Sequence, residues 1–145
     1  MNPPRLQILL VEDNYEHLTL TKYILNRNGV NGDVFVVRDG QEAMDYLFRR
    51  NRFSGAAGTS RPSIVLLDLN TPRLNGKELL KIIKEDQGLR DIPVVIVSSS
   101  NRPEDVAFAR EHGASAYISK SAGFEEFSAA LKNLDQYMLP GGSRL

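Results

Sequence analysis

Cysteine is absent from this chain of 145 residues, which excludes disulfide bonds, thiolate metal sites and cysteine nucleophiles. Net charge is absent as well, because 18 basic residues balance 18 acidic ones. A chain with no overall electrostatic field has little to attract nucleic acid or an anionic membrane. We therefore expect the partner to be another protein, with no nucleic acid and no membrane involved.

Long apolar runs are missing too. No stretch approaches the roughly 18 apolar residues of a membrane span, and the N-terminus lacks the basic, apolar and cleavage regions of an export signal. Together with the lack of cysteine, this favours a cytoplasmic protein. The length and the hydrophobic content of 41% suit a single domain over residues 1–145. Its core is expected at about residues 6–138, and the tail, 139–145, is too short to be an effector domain.

Apolar runs of strand length alternate with helix-length segments along the chain, which is typical of a series of βαβ units. Several runs are apolar throughout, as expected for strands that are covered on both faces. Strands are predicted at about residues 6–12, 33–37, 63–68, 93–98 and 115–119. Helices are predicted at about residues 14–28, 41–50 and 124–138, with two more around 79–83 and 106–113, and residues 51–62 form the longest connection.

Right-handed crossovers leave few topologies for five such units. The favoured one is an α/β, flavodoxin-like, three-layer sandwich around a parallel sheet with strand order 2-1-3-4-5. In this arrangement ligands bind where the order reverses, beyond the carboxyl ends of strands 1 and 3. Polar residues follow the apolar runs at these ends. They are Glu12, Asp13, Asp68, Ser98 and Lys120.

Three carboxylates in one crevice repel each other, by about 4 kcal/mol for two charges 4 Å apart at an effective dielectric near 20. A hard divalent cation with oxygen ligands relieves this repulsion, and magnesium typically takes one or two carboxylates together with water and phosphate oxygens. We predict Asp13 and Asp68 as direct ligands, with Mn2+ able to replace Mg2+. Glu12 would act through water, Asn70 would offer its backbone carbonyl, and Lys120 would supply the remaining positive charge.

An aspartate can attack phosphorus and form an acyl phosphate. Asp68 is the predicted nucleophile because it lies in the middle of the site, whereas Glu12 and Asp13 open a helix. Lys120 and the Ser98 hydroxyl would contact phosphoryl oxygens. If Ser98 moves toward the phosphoryl group, it leaves space that the Tyr117 ring could fill, so these two residues form a predicted switch.

These residues resemble the receiver domain of bacterial two-component response regulators, from residue 7 to residue 133. The resemblance rests on ILLVEDN at 8–14, DG at 39–40, LLDLNTP at 66–72 with Gly76 following, IPVVIVS at 92–98 and YISK at 117–120. It implies that Asp68 accepts phosphate from a histidine kinase, that Asp13, Asp68 and the Asn70 carbonyl bind magnesium, and that the chain is not an enzyme in the ordinary sense.

Within that family the chain is similar to the small regulators that are paired with bacterial phytochromes, in the sequence DLN at 68–70, the long connection before the third strand and the SSS run at 98–100. This narrower resemblance implies a light-regulated kinase or phosphatase as partner. It also implies a homodimer built from the fourth helix, the fifth strand and the fifth helix. One departure is that Ser121 follows Lys120 where family members usually have proline, which puts the geometry of that loop in question.

Other interpretations stay open for individual residues. Glu12 and Asp13 could serve only as a helix cap, Asp68 as a turn residue and Tyr117 as packing. Ser99 and Ser100 offer hydroxyls that compete with that of Ser98. Phe108 is predicted to point away from the inward stripe of Val106, Ala109 and Gly113, where it either forms an interface or lies against a neighbouring loop. His17 and His112 are expected at the surface or in packing.

Three other function classes compete with this assignment. Aspartate-nucleophile phosphohydrolases of the haloacid dehalogenase type use similar groups, but their second acid follows the nucleophile by two residues on the first strand, unlike Glu12, Asp13 and Asn14. A flavin carrier would need amides and hydroxyls where this chain is acidic. A receiver-like docking module that is never phosphorylated is the third class. It would not need Glu12, Asp13 and Asp68, all of which are present in this chain.

Overall fold

The computed structural model describes residues 6–30, 32–55, 61–71 and 73–138. Within them, a parallel sheet has the strand order β2-β1-β3-β4-β5. Its strands are β1 (Leu6–Val11), β2 (Gly32–Val37), β3 (Ile64–Leu67), β4 (Val94–Ser98) and β5 (Ala116–Ser119). The helices that alternate with them are α1 (Tyr15–Arg27), α2 (Gly40–Leu47), α3 (Gly76–Glu85), α4 (Pro103–Glu111) and α5 (Phe124–Lys132). The predicted fold class and strand order are confirmed.

The helices cover both faces of the sheet, and alternate residues of each strand enter one of two apolar clusters. Leu9, Val65 and Ile96 belong to the cluster beneath α2, α3 and α4. Ile8, Leu66 and Val95 belong to the cluster beneath α1 and α5. The central strands β3 and β4 are therefore buried at every position, which explains why their sequences are apolar without interruption.

Two helix ends differ from the prediction. The second helix ends at Leu47 rather than near residue 50, because Arg49 and Asn51 take left-handed backbone angles, with φ of 54° and 53°. A 3-10 turn then carries Phe53 back into the core, where its ring packs 5.1 Å from that of Tyr46. The long connection before β3 thus contributes to the core.

The last helix is α-helical only to Lys132 and continues as a 3-10 segment, Leu134–Met138. This change of geometry keeps Leu134 and Tyr137 buried. Phe124 was predicted to share the inward face, but half of it is exposed. The predicted stop at residues 140–142, the tail 139–145, Pro72 and the stretch 56–60 lie outside the described residues.

Asparagine and aspartate side chains cap the first three helices at the edge where the strands end. Asn14 caps α1 by accepting a hydrogen bond of 2.9 Å from the His17 amide, and Asp39 caps α2 in the same way at 2.7 Å from Glu42. Asn14 lies just after the predicted acidic pair, so the cap fixes the path of the chain from β1 into α1. Among the described residues, no helix combines the length and apolarity needed to cross a bilayer.

Candidate functional site

Three carboxylates meet beyond the carboxyl ends of β1 and β3. Val11 pairs with Leu67 in the parallel register, so the next residues of the two strands, Glu12 and Asp68, lie side by side. One carboxylate oxygen from each of Glu12, Asp13 and Asp68 lies within 4.8 Å of the other two. Glu12 and Asp68 are buried, whereas Asp13 is exposed at the rim. The structure therefore brings together the acidic residues that the sequence places at these strand ends.

Lys120 brings the compensating positive charge into this cluster. Its Nζ donates a hydrogen bond of 3.0 Å to Oδ2 of Asp68 and another, shorter one to Oε1 of Glu12. Its side chain is only 8% exposed, so both ion pairs are shielded from solvent. The other oxygen of Asp68, Oδ1, accepts a hydrogen bond of 2.9 Å from the amide of Asn70. Both oxygens of Asp68 are thus held in fixed directions.

One ammonium group does not balance three carboxyl groups. Burial raises the pKa of Glu12 to about 7, the attraction of Lys120 works in the opposite direction, and the charge of Asp68 raises the pKa further. The crevice therefore favours either a proton or an added cation.

The donor set fits a hard divalent cation, because it consists of oxygens alone. Opposite oxygens around Mg2+ are about 4.2 Å apart, and the 4.8 Å spread of the three carboxylates is close to this span. Asn70 is exposed and lies two residues after Asp68, so its backbone carbonyl follows closely on the carboxylate of Asp68 in the chain.

His17 was expected at the surface or in packing; its side chain is 39% exposed, and its ring also contacts the site. Its Nδ1 lies 3.0 Å from Nζ of Lys120 and 3.9 Å from Oε1 of Glu12. The sequence signal was its position in the first turn of a helix that starts at the acidic pair. Its neighbour Lys120 is 103 residues away in the chain, so the contact depends on how α1 packs against α5.

Ser98 and Tyr117 are both bonded to Ser100 rather than to each other. The Ser98 hydroxyl oxygen is fully buried and accepts a hydrogen bond of 3.1 Å from the Ser100 amide. The Tyr117 hydroxyl donates a hydrogen bond of 2.6 Å to the Ser100 carbonyl. Ser98 pairs with Ser119, so it lies beside the strand end that leads into Lys120. Ser100 is therefore a shared partner that the sequence did not reveal.

Ser121, which stands where the family usually has proline, makes two hydrogen bonds that a proline could not make. Its amide donates to the Ser119 hydroxyl at 3.1 Å, and its own hydroxyl donates to the Ser99 carbonyl at 2.8 Å. The second bond joins the loop after β5 to the loop after β4. Residues Lys120–Ala122 form a 3-10 turn in this loop.

Phe108 was predicted to point away from the core, and this is wrong. Its ring is half-buried against the cluster beneath α4 and stacks on His112, with ring centres 4.1 Å apart. The inward face of α4 consists instead of Asp105 and Ala109, both buried. Asp105 is held by Lys77 of α3 at 2.7 Å. Because the buried acid Asp105 lies on the core side, the inward face of α4 begins one residue before the apolar stripe that the sequence predicted.

Comparison with known proteins identifies the family. Residues 8–132 match the model of the response regulator receiver domain. The chain belongs to the response regulator receiver domain family. The resemblance seen in the sequence is thereby confirmed, and receiver domains act in two-component signalling rather than as ordinary enzymes.

Named relatives lie in the same family. This receiver domain is 37% identical to the probable methanogenesis regulatory protein FilR2 of Methanothrix harundinacea, over 91% of this chain and 83% of FilR2. It superposes on the phosphorylated cyanobacterial phytochrome response regulator RcpA with a TM-score of 0.82 and 36% identity, covering 95% of this chain and 96% of RcpA. The Mn2+-bound form of response regulator Rcp1 gives a TM-score of 0.81 and 30% identity, covering 92% and 94% of the two chains.

Proposed function

We propose that this receiver domain accepts a phosphoryl group on Asp68 in a magnesium-dependent reaction and signals through a change of its surface. The observation that carries the proposal is the arrangement of Asp68 between Lys120 and two further carboxylates. An Asp68 oxygen would bond to phosphorus as the bond from phosphorus to the donor nitrogen breaks. The donor imidazole keeps the electron pair of the broken bond, and the phosphoryl oxygens then carry the negative charge.

Asp68 is better suited to this attack than its acidic neighbours. Hydrogen bonds from Lys120 and the Asn70 amide orient its two oxygens, which is the pre-organisation that transfer reactions need. Glu12 is only 2% exposed, and its raised pKa makes it a weaker anion at neutral pH. Asp13 is exposed and less constrained, so it suits a role as metal ligand.

The metal is proposed to be Mg2+, with Mn2+ as a substitute. Asp13, Asp68 and the Asn70 carbonyl would hold it, and Glu12 would contact it through water. When bound, the ion neutralises negative charge on the transferred phosphoryl group. Lys120 and the Ser98 hydroxyl would contact phosphoryl oxygens from the neighbouring strand ends. The oxygen-only donor set supports this role, as does the Mn2+ in the related Rcp1 structure.

The signal is proposed to pass through Ser98 and Tyr117. For Ser98 to turn toward the phosphoryl group, it must give up the bond from the Ser100 amide. Inward movement of Tyr117 must break its bond to the Ser100 carbonyl. Because one residue holds both groups, the two movements are expected to occur together, and the loop after β4 would change shape.

The donor is proposed to be a sensor histidine kinase of the phytochrome class, and the chain a single cytoplasmic receiver domain. The phytochrome regulators among its relatives support the partner class. Exposed apolar residues on α1, the helix that follows the acidic pair, offer a protein donor an apolar surface. They are Tyr15, Leu20 and Tyr23. We also propose that the chain takes part in its own dephosphorylation without turning over a separate substrate.

A homodimer through α4, β5 and α5 is the proposed assembly, because β5 is an edge strand that pairs only with β4 in the described sheet. Light scattering should give twice the monomer mass of 16.2 kDa, and a monomer mass at micromolar concentration would contradict it. Phe108 stays a predicted interface residue. Phe108→Ala is a poor probe, however, because it also removes packing from the core.

Mass spectrometry after incubation with acetyl phosphate and Mg2+ tests the main proposal. We expect one added phosphoryl group in the wild-type protein and none in Asp68→Asn or without the metal. Uptake by Asp68→Asn would move the site elsewhere. A wild-type protein that stays unmodified would favour the docking module, and steady release of phosphate beyond one equivalent on a short timescale would favour a phosphohydrolase.

A further inference from the structure

We propose that His17 is a positioning residue for Lys120, a neutral acceptor that keeps the ammonium group in the crevice both before and after Asp68 is modified. This inference rests on the proposed function of Asp68. It arises from the contact between Nδ1 of His17 and Nζ of Lys120 at 3.0 Å.

The hydrogen-bonding groups of Lys120 determine that His17 acts as the acceptor in their contact. A lysine ammonium has three N–H donors and no acceptor. Within the part of the chain that the structure describes, three acceptors face it, namely Glu12, Asp68 and His17. Since Lys120 can only donate, Nδ1 of His17 must accept, which requires a neutral imidazole with its hydrogen on Nε2. All three donors of the buried ammonium are then satisfied.

Modification of Asp68 changes one of these partners. An acyl phosphate no longer carries the carboxylate charge on the aspartate itself, and the charge moves outward to the phosphoryl oxygens. Lys120 must then exchange its bond to Asp68 for a bond to a phosphoryl oxygen. His17 undergoes no such change, so it can hold the ammonium in place during the exchange.

The surroundings of this pair give Lys120 somewhere else to go. A cavity of about 140 Å3 between α1 and α5 is lined by both His17 and Lys120, together with Leu20, Thr21 and Phe127. The flexible lysine side chain can enter such a space when one of its bonds is lost. The Nδ1 acceptor of His17 opposes this, because it lies 3.9 Å from Oε1 of Glu12 and so holds the ammonium group beside that carboxylate.

Substitutions that place or remove the acceptor test the proposal. The amide of asparagine puts an acceptor near the Nδ1 position of histidine, whereas leucine has none. His17→Leu and His17→Asn are therefore compared with the wild-type protein, and His112→Leu is the matched control at the other histidine, which contacts Phe108. The readouts are the rate of Asp68 phosphorylation by acetyl phosphate with Mg2+ and the affinity for beryllofluoride, a phosphoryl mimic, with thermal unfolding as a check on folding.

We expect His17→Leu to lower the phosphorylation rate and the beryllofluoride affinity by about three- to tenfold, as for one hydrogen bond to a charged group at a partly exposed site. His17→Asn should recover most of both, and His112→Leu should change neither. Equal values for His17→Leu and wild type would overturn the inference, and so would equal losses in His17→Leu and His17→Asn. Absence of uptake by the wild-type protein would instead overturn the function of Asp68, and this inference with it.

A measurement that does not depend on phosphorylation examines the same contact. Two-bond proton–nitrogen correlation spectra distinguish the two neutral forms of a histidine ring. We expect His17 to carry its hydrogen on Nε2 in the unmodified protein and to keep this form in Lys120→Arg but not in Lys120→Met, where the donor is lost. A hydrogen on Nδ1 in the wild-type protein would contradict the proposed bond.

Discussion

Nζ of Lys77 on α3 lies 2.7 Å from Oδ1 of Asp105 on α4, so an ion pair between a partly exposed lysine and a buried aspartate joins two neighbouring helices. The Ser100 hydroxyl donates a hydrogen bond of 2.5 Å to the other oxygen of the same carboxylate. Asp105 thus ties the loop after β4 to the helices. The contact with Lys77, followed by those with Ser100 and Arg102, holds the pKa of Asp105 well below its usual range.

Replacement of Asp105 tests the strength of this tie. We expect Asp105→Ala to lower the free energy of unfolding by about 1–3 kcal/mol, because it leaves the partners of a buried acceptor unsatisfied. Glu104→Gln is the matched control, since Glu104 is exposed and contacts only Arg102 among the bases described. Its effect in urea denaturation should stay within about 0.5 kcal/mol. Equal effects of the two substitutions would contradict the role of the buried carboxylate.

The raised pKa of Glu12 predicts how stability depends on pH when metal is removed. The native state keeps the Glu12 proton up to pH about 7, whereas the unfolded chain releases it near 4.5. Between these values the native state binds more protons, so the free energy of unfolding should fall as pH rises, by on the order of 3 kcal/mol.

Denaturation in EDTA across this pH range measures the effect. Glu12→Gln should flatten the slope, because glutamine does not ionise. An unchanged slope in Glu12→Gln would assign the pH dependence to another group. Added Mg2+ should restore stability mainly at the higher pH, where the carboxylates are charged and repel each other.

Gly76 should not tolerate even the smallest side chain. A Cβ atom there would lie 2.3 Å from the carbonyl oxygen of Asp68 and 2.5 Å from Cα of Leu69. We expect Gly76→Ala to cost about 1–3 kcal/mol in unfolding free energy and to slow Asp68 phosphorylation, since the backbone beneath Asp68 must shift. Gly88→Ala is the control, because its nearest neighbour is the movable carboxylate of Asp86 at 3.2 Å. A stable, fully reactive Gly76→Ala would show that this packing is dispensable.

Ser121 should couple the two loops beside the site. Removal of its hydroxyl in Ser121→Ala breaks the bond to the Ser99 carbonyl, and Ser121→Pro also removes the amide that bonds to Ser119. We expect faster hydrogen exchange at the Ser100 amide in both variants. Ser54→Ala, which removes a hydroxyl bonded to the carbonyl of Asn51 in another loop, is the control and should leave that amide unchanged. Unaltered exchange in Ser121→Ala would mean that the loops move independently.

The sequence predicted the sheet and its acidic edge because both depend on local patterns. Apolar runs define the strands, and parallel register then brings residues that follow them, such as Glu12 and Asp68, to one edge. Lys120 could be placed in the same way. For these residues, position along a strand was enough.

The remaining features depend on how helices pack, which no local pattern records. His17 contacts Lys120 only because α1 lies against α5, and the Ser121 bond to Ser99 requires two loops to meet. The error at Phe108 has a related cause. The predicted inward stripe left out the charged residue Asp105, which is nevertheless buried because Lys77 on the next helix neutralises it.

If Tyr117 acts as the proposed switch, its hydroxyl has an energetic consequence for the balance between inactive and active populations. Its bond of 2.6 Å to the Ser100 carbonyl holds the ring in its present position and would break on the proposed inward movement. Such a bond is worth about 1 kcal/mol, so it shifts the equilibrium toward the outward form by roughly fivefold. A phenylalanine at this position would lack that bias, and the unmodified protein would then adopt its signalling shape more often.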